Sequence, residues 1–423
     1  MTPPPSASAK SPADYARAQW IVVLLLVVSV AINYIDRGNL SIAAPLLKVE
    51  MGITPSQLGL LLSSFFWTYS VFQLVSGWLV DRYNVNWVMA AGFTLWSAAT
   101  AATGLIGGFT SLLMFRLLLG VGESVAYPAY ARILTERLDE RQRGVANALI
   151  DAGSKIGPAL GTMVGGMLVA RFGWRPFFIA LGIGALVWLP FWIKWMPREM
   201  HRSNEPAPER PGIREILSHR AIWATFTGHF AGNYFLYFLL TWLPYYLVEE
   251  RHFSMRAMAA VGSLPPLFTA GATVLTGWLS YRALAAGVPL TRVRKTCTVT
   301  GLGLATVVVI VPALPGTFAA MAALMFASAA YGIFSSSHWT ITQTIAGPLA
   351  AGRWSGMQNF TANLAGVVAP ALTGFVVSKT GNFFWAFAAT GIVTLIGAGA
   401  HLFGLGKIEP ATWRCSRPAA TSA

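Results

Sequence analysis

Charged residues and cysteines are scarce in this chain. Asp, Glu, Lys and Arg make up only 11% of its 423 residues, whereas hydrophobic residues make up 55%. A soluble domain carries roughly a quarter of its residues as charges, so this composition excludes a soluble globular protein. The two cysteines, Cys297 and Cys415, are too few for a disulfide framework or a cysteine-based metal site.

Sequence motifs of enzymes are also missing. The chain contains no phosphate-binding loop of the Walker type, no nucleophile motif and no cluster of metal-ligating residues. No polar stretch is long enough to form a soluble catalytic domain. We therefore expect a protein that is not an enzyme and that binds neither a metal nor another cofactor.

What the chain has instead is a series of long apolar runs. Each run is about 20 residues or longer, the length needed for a helix to cross a membrane, and only helices satisfy their backbone polar groups in lipid over such lengths. The predicted fold class is therefore an all-α membrane protein with twelve transmembrane helices. The twelve predicted spans are 20–47, 57–80, 86–106, 109–134, 143–170, 174–195, 221–248, 257–281, 295–313, 317–342, 352–378 and 382–405.

The net charge of +14 is explained by membrane topology. If both termini are cytoplasmic, 21 of the 30 Lys and Arg residues fall in cytoplasmic segments and 6 fall on the opposite side. This asymmetry follows the positive-inside rule and predicts the orientation. Because topology accounts for the excess of basic residues, we do not expect the protein to bind nucleic acid. We expect a multi-pass protein of the bacterial inner membrane, since no signal peptide or organelle address is recognisable.

The chain contains an internal duplication. Gly77-WLVD-Arg82 follows the second predicted span, and the similar Gly277-WLSY-Arg282 follows the eighth, 200 residues later. Two six-helix halves in the same orientation are a known transporter plan, with the substrate site between the halves at mid-membrane. The predicted units are a disordered cytoplasmic tail (1–19), a first half (20–195), a cytoplasmic linker (196–220), a second half (221–405) and a cytoplasmic tail (406–423).

Asp36 and Arg37 lie near the middle of the first apolar run. An Arg at the centre of a bilayer costs about 2.5 to 3.5 kcal/mol even on insertion scales, so such a charge is a candidate functional residue. Neighbouring residues on a helix point about 100° apart, and the two side chains are therefore not expected to pair with each other. Each either acts on a substrate or proton, or forms a structural ion pair with another helix.

Arg116 and Glu123 lie seven residues apart in the fourth predicted span. They share a face but are separated by about 10 Å, so each must reach a group on a neighbouring helix. Asp36 is the expected partner of Arg116. Burial disfavours an ionised carboxylate, which makes Glu123 a candidate proton carrier near neutral pH. The alternative is a purely structural network.

Asp151 and Lys155 occupy positions i and i+4 of the fifth predicted span. The acid precedes the base, which is the better order for an intrahelical ion pair. The two residues either neutralise each other, or Lys155 gives the substrate a second cationic contact.

Several motifs resemble those of a known transporter family. Gly77-x-Leu79-x-Asp81-Arg82 is similar to the loop signature of the major facilitator superfamily. The segments that resemble its anion:cation symporter branch, the sugar-acid and organic-acid permeases, are Asn33-Tyr-Ile-Asp-Arg-Gly-Asn39, Arg116-LLLGVGES-Val125, Gly173-Trp-Arg-Pro-Phe177, Thr241-Trp-Leu-Pro-Tyr-Tyr-Leu247 and Gln358-Asn-Phe-x-x-Asn-Leu-x-Gly366.

The resemblance covers residues 20–405 and implies roles for individual residues. It implies proton coupling by Asp36 and Glu123 with Arg116 as a modulator, and gating by Gly77, Asp81 and Arg82. His338 is either a substrate contact or a hydrogen bond between helices. The complete expected set of substrate-binding residues is Tyr34, Arg37, Tyr69, Ser154, Lys155, Ser336, His338, Trp339 and Asn359.

The sequence departs from the family pattern in the gating loops. Asn84, Val85 and Asn86 stand where the family usually continues with Gly and two basic residues, and Tyr281 stands where the second copy usually has Asp. These departures concern the energetics of gating.

The function implied by the resemblance is import of an organic carboxylate by proton symport, by a monomer. The alternative is a drug/proton antiporter, favoured by Gly153-SKI-Gly157-Pro158-AL-Gly161, although three intramembrane cations suit an anion better. Organophosphate exchange normally requires a second Arg in the seventh span, and 226–247 has none. Hexonates, hexuronates, tartrate-like acids and aromatic carboxylates all fit this reading.

Overall fold

The computed structural model describes residues 12–138, 140–196 and 211–413, and every regular element in these ranges is helical. A π-helical turn (Gly161–Gly165) joins α6 to α7, and a 3-10 segment (Thr306–Ala313) extends α14. The helices are α1 (Pro12–Met51), α2 (Pro55–Arg82), α3 (Val85–Thr103), α4 (Phe109–Glu123), α5 (Ala126–Arg137), α6 (Glu140–Leu160), α7 (Gly166–Phe172), α8 (Trp174–Leu186), α9 (Trp188–Trp195), α10 (Ile213–Ser218), α11 (Arg220–Glu249), α12 (Met255–Gly262), α13 (Leu264–Ala285), α14 (Leu290–Ala305), α15 (Thr317–Ser335), α16 (His338–Thr380) and α17 (Phe384–Gly404).

Nine helical stretches in the described part of the chain are long and apolar enough to cross a membrane. The prediction of an all-helical membrane protein is thereby confirmed. Three other expected spans are also helical, in α3, in α6 to α7 and in α11, but their polar residues keep them below that degree of apolarity. The nine stretches are Arg17–Met51, Pro55–Arg82, Phe109–Arg137, Trp174–Trp195, Met255–Ala285, Leu290–Ala313, Thr317–Gly347, Leu349–Thr380 and Phe384–Gly404.

The turn between α1 and α2 illustrates how local sequence defines these helices. Gly52 adopts a φ of 62°, which ends α1 at little steric cost. Thr54 then caps α2 through a reciprocal capping box with Gln57, and Pro55 occupies the first turn, where its missing N–H is not needed. A helix reversal is therefore encoded within six residues.

The helices before residue 196 and those after residue 211 meet along several pairs. α2 packs against α16, α1 packs against α11, α6 packs against α13, and α7 packs against α12. Many large apolar side chains face outward, including Leu74, Val274, Phe318 and Phe403. An apolar outer surface of this extent suits a lipid environment rather than water.

The structure describes helix within segments predicted as tail and linker, and the division of the chain into units stays a prediction. α1 begins at Pro12, so the second part of the predicted tail 1–19 is helical, and residues 211–220 of the predicted linker contain α10. Residues 406–413 of the predicted C-terminal tail pack on the bundle, where Trp413 Nε1 donates to the carbonyl oxygen of Ala346 at 3.0 Å. The remaining tail and linker residues, 1–11, 197–210 and 414–423, lie outside the described residues.

The tenth predicted span is interrupted. α15 ends at Ser335, and a turn at Ser336 and Ser337 precedes α16. Gly347 then breaks the long α16 with a φ of 61° and ψ of −178°, which separates the tenth span from the eleventh. The first of these breaks places polar side chains in the interior of the bundle.

Candidate functional site

Arg37 lies in the middle of α1 and forms a buried ion pair with Glu123 at the end of α4. Its Nε donates to Glu123 Oε2 at 3.0 Å, and the side chains are 2% and 0% exposed. Three aromatic rings surround the guanidinium, with Arg37 Cζ lying 4.4 Å from the ring centre of Tyr69, 4.6 Å from Tyr34 and 5.3 Å from Phe65. Cation–π contacts of this kind hold a guanidinium in place while its remaining N–H groups stay available.

Asp36 points to a different neighbour, as expected for consecutive residues on a helix. Its Oδ1 accepts hydrogen bonds from Thr100 Oγ1 of α3 at 3.0 Å and from Asn39 Nδ2 at 3.2 Å. The carboxyl group is fully buried. The structure therefore places Asp36 and Arg37 in separate surroundings, one facing α3 and the other α4.

The expected direct pair between Asp36 and Arg116 is not formed. Arg116 Nε instead donates to the carbonyl oxygen of Leu61 in α2 at 3.3 Å, and its Cζ lies 5.3 Å from the ring centre of Phe65. The side chain is thus drawn toward α2, whereas Asp36 faces α3. Both Nη atoms of Arg116 are buried without a hydrogen-bond partner among the described residues.

The buried polar cluster of α1 and α4 is only partly satisfied. Buried polar groups are normally paired, and each unpaired group costs stability, so such a cluster is poorly explained as a structural device. Chemically, its carboxyl groups can accept a proton and its guanidinium groups can bind an anion. Within the described chain, its atoms without a partner include both side-chain polar atoms of Asn33, Asp36 Oδ2, Arg37 Nη2, Arg116 Nη1 and Nη2, and Glu123 Oε1.

The intrahelical pair of α6 is confirmed. Lys155 Nζ lies 2.5 Å from Asp151 Oδ1, and Asp151 remains 59% exposed. The pair lines a cavity of about 820 Å³ whose other wall consists of α13 residues, among them Val274 and Trp278. Ser154 does not point a free hydroxyl into this space, because its Oγ donates to the carbonyl oxygen of Asp151 at 2.7 Å.

A chain of polar contacts links the two sets of helices across the centre. Asn359 Nδ2 of α16 lies 3.5 Å from Gln73 Oε1 of α2, and Gln73 Nε2 donates to Tyr69 Oη at 3.0 Å. Tyr69 in turn packs on Arg37. Tyr34, on the other side of Arg37, accepts a hydrogen bond from Tyr127 Oη at 3.3 Å. The structure thus brings Tyr34, Arg37, Tyr69 and Asn359 together.

Ser336, His338 and Trp339 lie at the break between α15 and α16. Ser336 Oγ donates to its own helix, to the carbonyl oxygen of Ile333 at 2.7 Å. The imidazole of His338 and the indole of Trp339 pack around a third ring, His229 of α11. Sequence reasoning missed His229, although a histidine within an apolar, aromatic run was a visible signal.

The predicted gating loop lies at the end of α2. Asp81 is largely exposed, with its Oδ1 3.6 Å from Arg132 Nη1 of α5. Arg82 Cζ lies 5.9 Å from the ring centre of Trp78. A side chain added at Gly77 would meet no atom within 4 Å. The loop thus contains a contact between α2 and α5, and Gly77 is not part of a close helix approach.

The opposite end of the bundle is closed by contacts between α1 and α11 and between α2 and α16. Lys48 forms an ion pair with Glu249. Gly59 approaches α16 so closely that an added Cβ would lie 2.7 Å from the carbonyl oxygen of Pro370. Residues with side chains do not fit at such an approach, so the two helix sets are in tight contact at this end.

Comparison with known proteins identifies the family. The model of the Major Facilitator Superfamily matches residues 26–366. The hexuronate transporter of Bacillus subtilis is 30% identical over 88% of this chain and 90% of its own length. A probable sulfoacetate transporter of Cupriavidus necator is 32% identical over the same shares, and a probable galactarate/D-glucarate transporter of Escherichia coli is 27% identical over 92% and 95%.

A solved structure shows the same fold. It is a bacterial homologue of the human lysosomal transporter Spinster in an inward-facing, unoccupied conformation, with a TM-score of 0.78 and 19% identity over 94% of this chain and 98% of that one. Because the family consists of transporters, the expectation that the chain is not an enzyme is confirmed. The chain belongs to the Major Facilitator Superfamily, in the anion:cation symporter branch that the motifs of its helices predicted.

Proposed function

We propose that this protein imports a small organic carboxylate together with protons across the bacterial inner membrane. The observation that carries the proposal is the buried contact between Arg37 and Glu123. It joins a cation suited to a carboxylate with an acid suited to carrying a proton. A proton competes with Arg37 for Glu123 and the substrate competes with Glu123 for Arg37, so each ligand frees the partner of the other. The relatives named above for hexuronate, galactarate/D-glucarate and sulfoacetate support an anionic substrate.

The coupling follows from the ion pair. While Glu123 is ionised, it holds Arg37 at 3.0 Å and competes with a substrate carboxylate. Protonation of Glu123 removes that competition and leaves the guanidinium, still supported by Tyr34 and Tyr69, to bind the substrate as a fork. Loss of the proton on the other side restores the pair and expels the substrate. Asp36 is the second proposed carrier, and Arg116 the group that modulates both.

The transport step is alternating access. We assign twelve spans in two six-helix halves, which rock about the central site while the contacts at the two ends form and break in turn. The closed end with Lys48 and Glu249 faces outward in this assignment, because the bias of Lys and Arg places both termini in the cytoplasm. The protein works as a monomer, with Gly77, Asp81 and Arg82 at the cytoplasmic gate.

The roles of the remaining predicted residues follow from their positions. Tyr34, Tyr69 and Asn359 flank Arg37 and contact the substrate body. Ser336, His338 and Trp339 form the opposite wall. Lys155 gives the substrate a second cationic contact when the substrate carboxylate displaces Asp151. Ser154 lines the site, but its hydroxyl stays hydrogen-bonded to the carbonyl oxygen of Asp151.

The drug/proton antiporter reading has less support. The glycines of its motif in α6 are accounted for by helix packing, since an added Cβ at Gly157 would lie 2.6 Å from the carbonyl oxygen of Ala31 in α1. An added Cβ at Gly161 would lie 3.2 Å from the Ile35 side chain. A close α1–α6 contact explains these glycines without a cationic drug.

The proposal is tested with proteoliposomes on a solid-supported membrane and with a pH dye enclosed in matched vesicles. The panel contains D-glucuronate, D-galactonate, galactarate, sulfoacetate and benzoate, each added at acidic and neutral pH. We expect one class to give proton entry that is stronger at acidic pH. If two protons enter with one monovalent anion, net positive charge moves and the solid-supported membrane records a current. If one proton enters with one monovalent anion, no net charge moves and only the pH dye detects the proton entry.

Glu123→Gln imitates the protonated acid. We expect it to abolish pH-driven accumulation while retaining exchange of substrate for substrate, because Arg37 remains available. Glu409→Gln is the matched control, since this acid is exposed and paired only with Lys407 beyond the last helix. Unchanged pH-driven uptake in Glu123→Gln overturns the coupling mechanism. If the vesicles respond to no anion but release protons when lipophilic cations are added, the protein is a drug/proton antiporter and the proposal is wrong.

A further inference from the structure

His229 of α11 and His338 of α16 form a buried imidazole pair at the break between α15 and α16. Their ring centres lie 4.6 Å apart, and the indole of Trp339 lies 4.8 Å from the ring centre of His229. The two histidines are only 5% and 7% exposed. Buried imidazoles need defined hydrogen bonds, so the proton on each ring is determined by its neighbours.

The neighbours of His229 define its tautomer. The hydroxyl of Thr342 lies 2.6 Å from Gln358 Oε1, a spacing typical of an O–H···O hydrogen bond. The amide nitrogen of Gln358 therefore faces Nδ1 of His229, at 3.3 Å, and donates to it. A neutral imidazole carries a single N–H, so the proton of His229 lies on Nε2, which has no acceptor among the described residues.

His338 has the opposite arrangement. Its Nδ1 lies 3.1 Å from the carbonyl oxygen of Ser335. A carbonyl only accepts hydrogen bonds, so the proton of His338 lies on Nδ1 and its Nε2 is an acceptor. This Nε2 is buried and has no partner in the described part of the chain.

The pair therefore carries one donor, His229 Nε2–H, and one acceptor, His338 Nε2, on rings whose centres lie 4.6 Å apart. A hydroxyl group is the complement of such a pair, because it donates one hydrogen bond and accepts another. A carboxylate or sulfonate only accepts, and an apolar group would satisfy neither nitrogen. Trp339 covers the pair from the side, as expected for a wall that contacts a sugar face.

We propose that His229 and His338 form a subsite that binds a hydroxyl group of the substrate, so that the transported anion is a hydroxylated acid of the sugar-acid type. Thr342 and Gln358 are positioning residues that fix the His229 tautomer. The inference rests on the proposed function and narrows its substrate class: Arg37 binds the carboxylate, and the histidine pair selects against acids without a hydroxyl at the matching distance.

The test compares a substrate with its deoxy analogues. The probe is D-glucuronate or D-galactonate, whichever gives the larger wild-type signal in proteoliposomes, together with its mono-deoxy analogues. In the wild type we expect one analogue to lose about tenfold in apparent affinity, the usual effect of one neutral hydrogen bond. His229→Phe should weaken the parent acid about tenfold and abolish the difference between the parent and that analogue.

Two variants separate recognition from folding. His229→Gln keeps an N–H donor and should recover part of the discrimination. His219→Phe alters another histidine, at the start of α11, whose ring centre lies 5.7 Å from that of Trp354 and 6.3 Å from that of Trp413, and should leave the discrimination unchanged. Persistence of the difference in His229→Phe overturns the inference, as does wild-type transport confined to sulfoacetate and benzoate. Both outcomes are compatible with the proposed function. If no anion of the panel is transported, the proposed function and the inference are both wrong.

Discussion

At the scale of single residues, the role of Arg37 depends on the shape of its side chain as much as on its charge. The guanidinium packs on Tyr34 and Tyr69 and reaches Glu123 with Nε, which leaves the fork of its terminal nitrogens for a carboxylate. An ammonium group has no planar face or fork. We therefore expect Arg37→Lys to weaken apparent substrate affinity roughly 10- to 100-fold, an effect of about 1.5 to 3 kcal/mol typical of charged hydrogen bonds. Competition uptake in proteoliposomes measures it.

Arg171→Lys is the matched control for this substitution, because Arg171 is exposed at the end of α7 and its Cζ lies 5.3 Å from the ring centre of Phe172, its sequence neighbour. It should leave affinity unchanged. Equal affinities for wild type and Arg37→Lys would place the substrate carboxylate elsewhere, with Lys155 as the first candidate.

The residues of the site differ in how visible they were in the sequence. Asp36, Arg37, Arg116 and Glu123 stand out because a charge in an apolar run is costly. Their contacts did not follow from spacing: Glu123 pairs with Arg37, whereas Arg116 turns toward the backbone of α2. Which groups meet depends on how each helix is rotated and shifted against its neighbours, and the sequence of one helix does not contain that information.

At the scale of helices, close packing depends on individual glycines, and α8 offers an internal comparison. An added Cβ at Gly182 would meet the backbone of α3, at Ser97 and Ala101, whereas one at Gly184 would meet nothing within 4 Å. We expect Gly182→Ala to destabilise the protein by about 1 to 3 kcal/mol through overpacking. Gly184→Ala should be neutral or slightly stabilising, since Ala favours a helix over Gly.

Thermal unfolding in detergent, followed by tryptophan fluorescence, distinguishes the two variants. Equal melting temperatures for Gly182→Ala and Gly184→Ala would show that α3 and α8 separate easily, and would contradict the packing argument.

Helices were the most predictable level of this fold, because length and apolarity alone indicate a spanning helix. Boundaries and breaks were less so. α1 starts at Pro12, where no apolar run exists, and α16 passes through the non-helical Gly347. Residues 406–413 looked polar enough for a free tail, yet Trp413 is buried against α16. These features depend on contacts with distant parts of the chain, which local composition does not reveal.

At the scale of the whole molecule, the two ends of the bundle differ. At one end Lys48 pairs with Glu249, and Gly59 lies against Pro370 and Gly374, which joins helices that precede residue 196 to helices that follow residue 211. At the other end, a Cβ added at Gly77 or Gly277 would meet no atom within 4 Å, so these two glycines are not close-packed as Gly59 is. Alternating access requires that the closed end separate once in every transport cycle.

A covalent link across the closed end should therefore stop transport. We expect Lys48→Cys with Glu249→Cys, in a chain with Cys297→Ser and Cys415→Ser, to lose at least about tenfold in uptake rate after reaction with a short bis-maleimide, since binding alone cannot complete the cycle. Uptake by the same variant before reaction gives the effect of removing the ion pair alone.

The control link joins helices within one half at the same end. Arg175 Nη2 of α8 lies 2.7 Å from Glu50 Oε1 of α1, so Glu50→Cys with Arg175→Cys is within reach of the same reagent. If the two halves are rigid and rock against each other, as proposed, they tolerate this link, and the variant's uptake should be nearly unchanged after reaction. If both links stop transport, the halves deform internally rather than rock. If neither link stops transport, the contact between Lys48 and Glu249 is not part of a gate. Transport with this end covalently locked would show that the substrate does not pass through it.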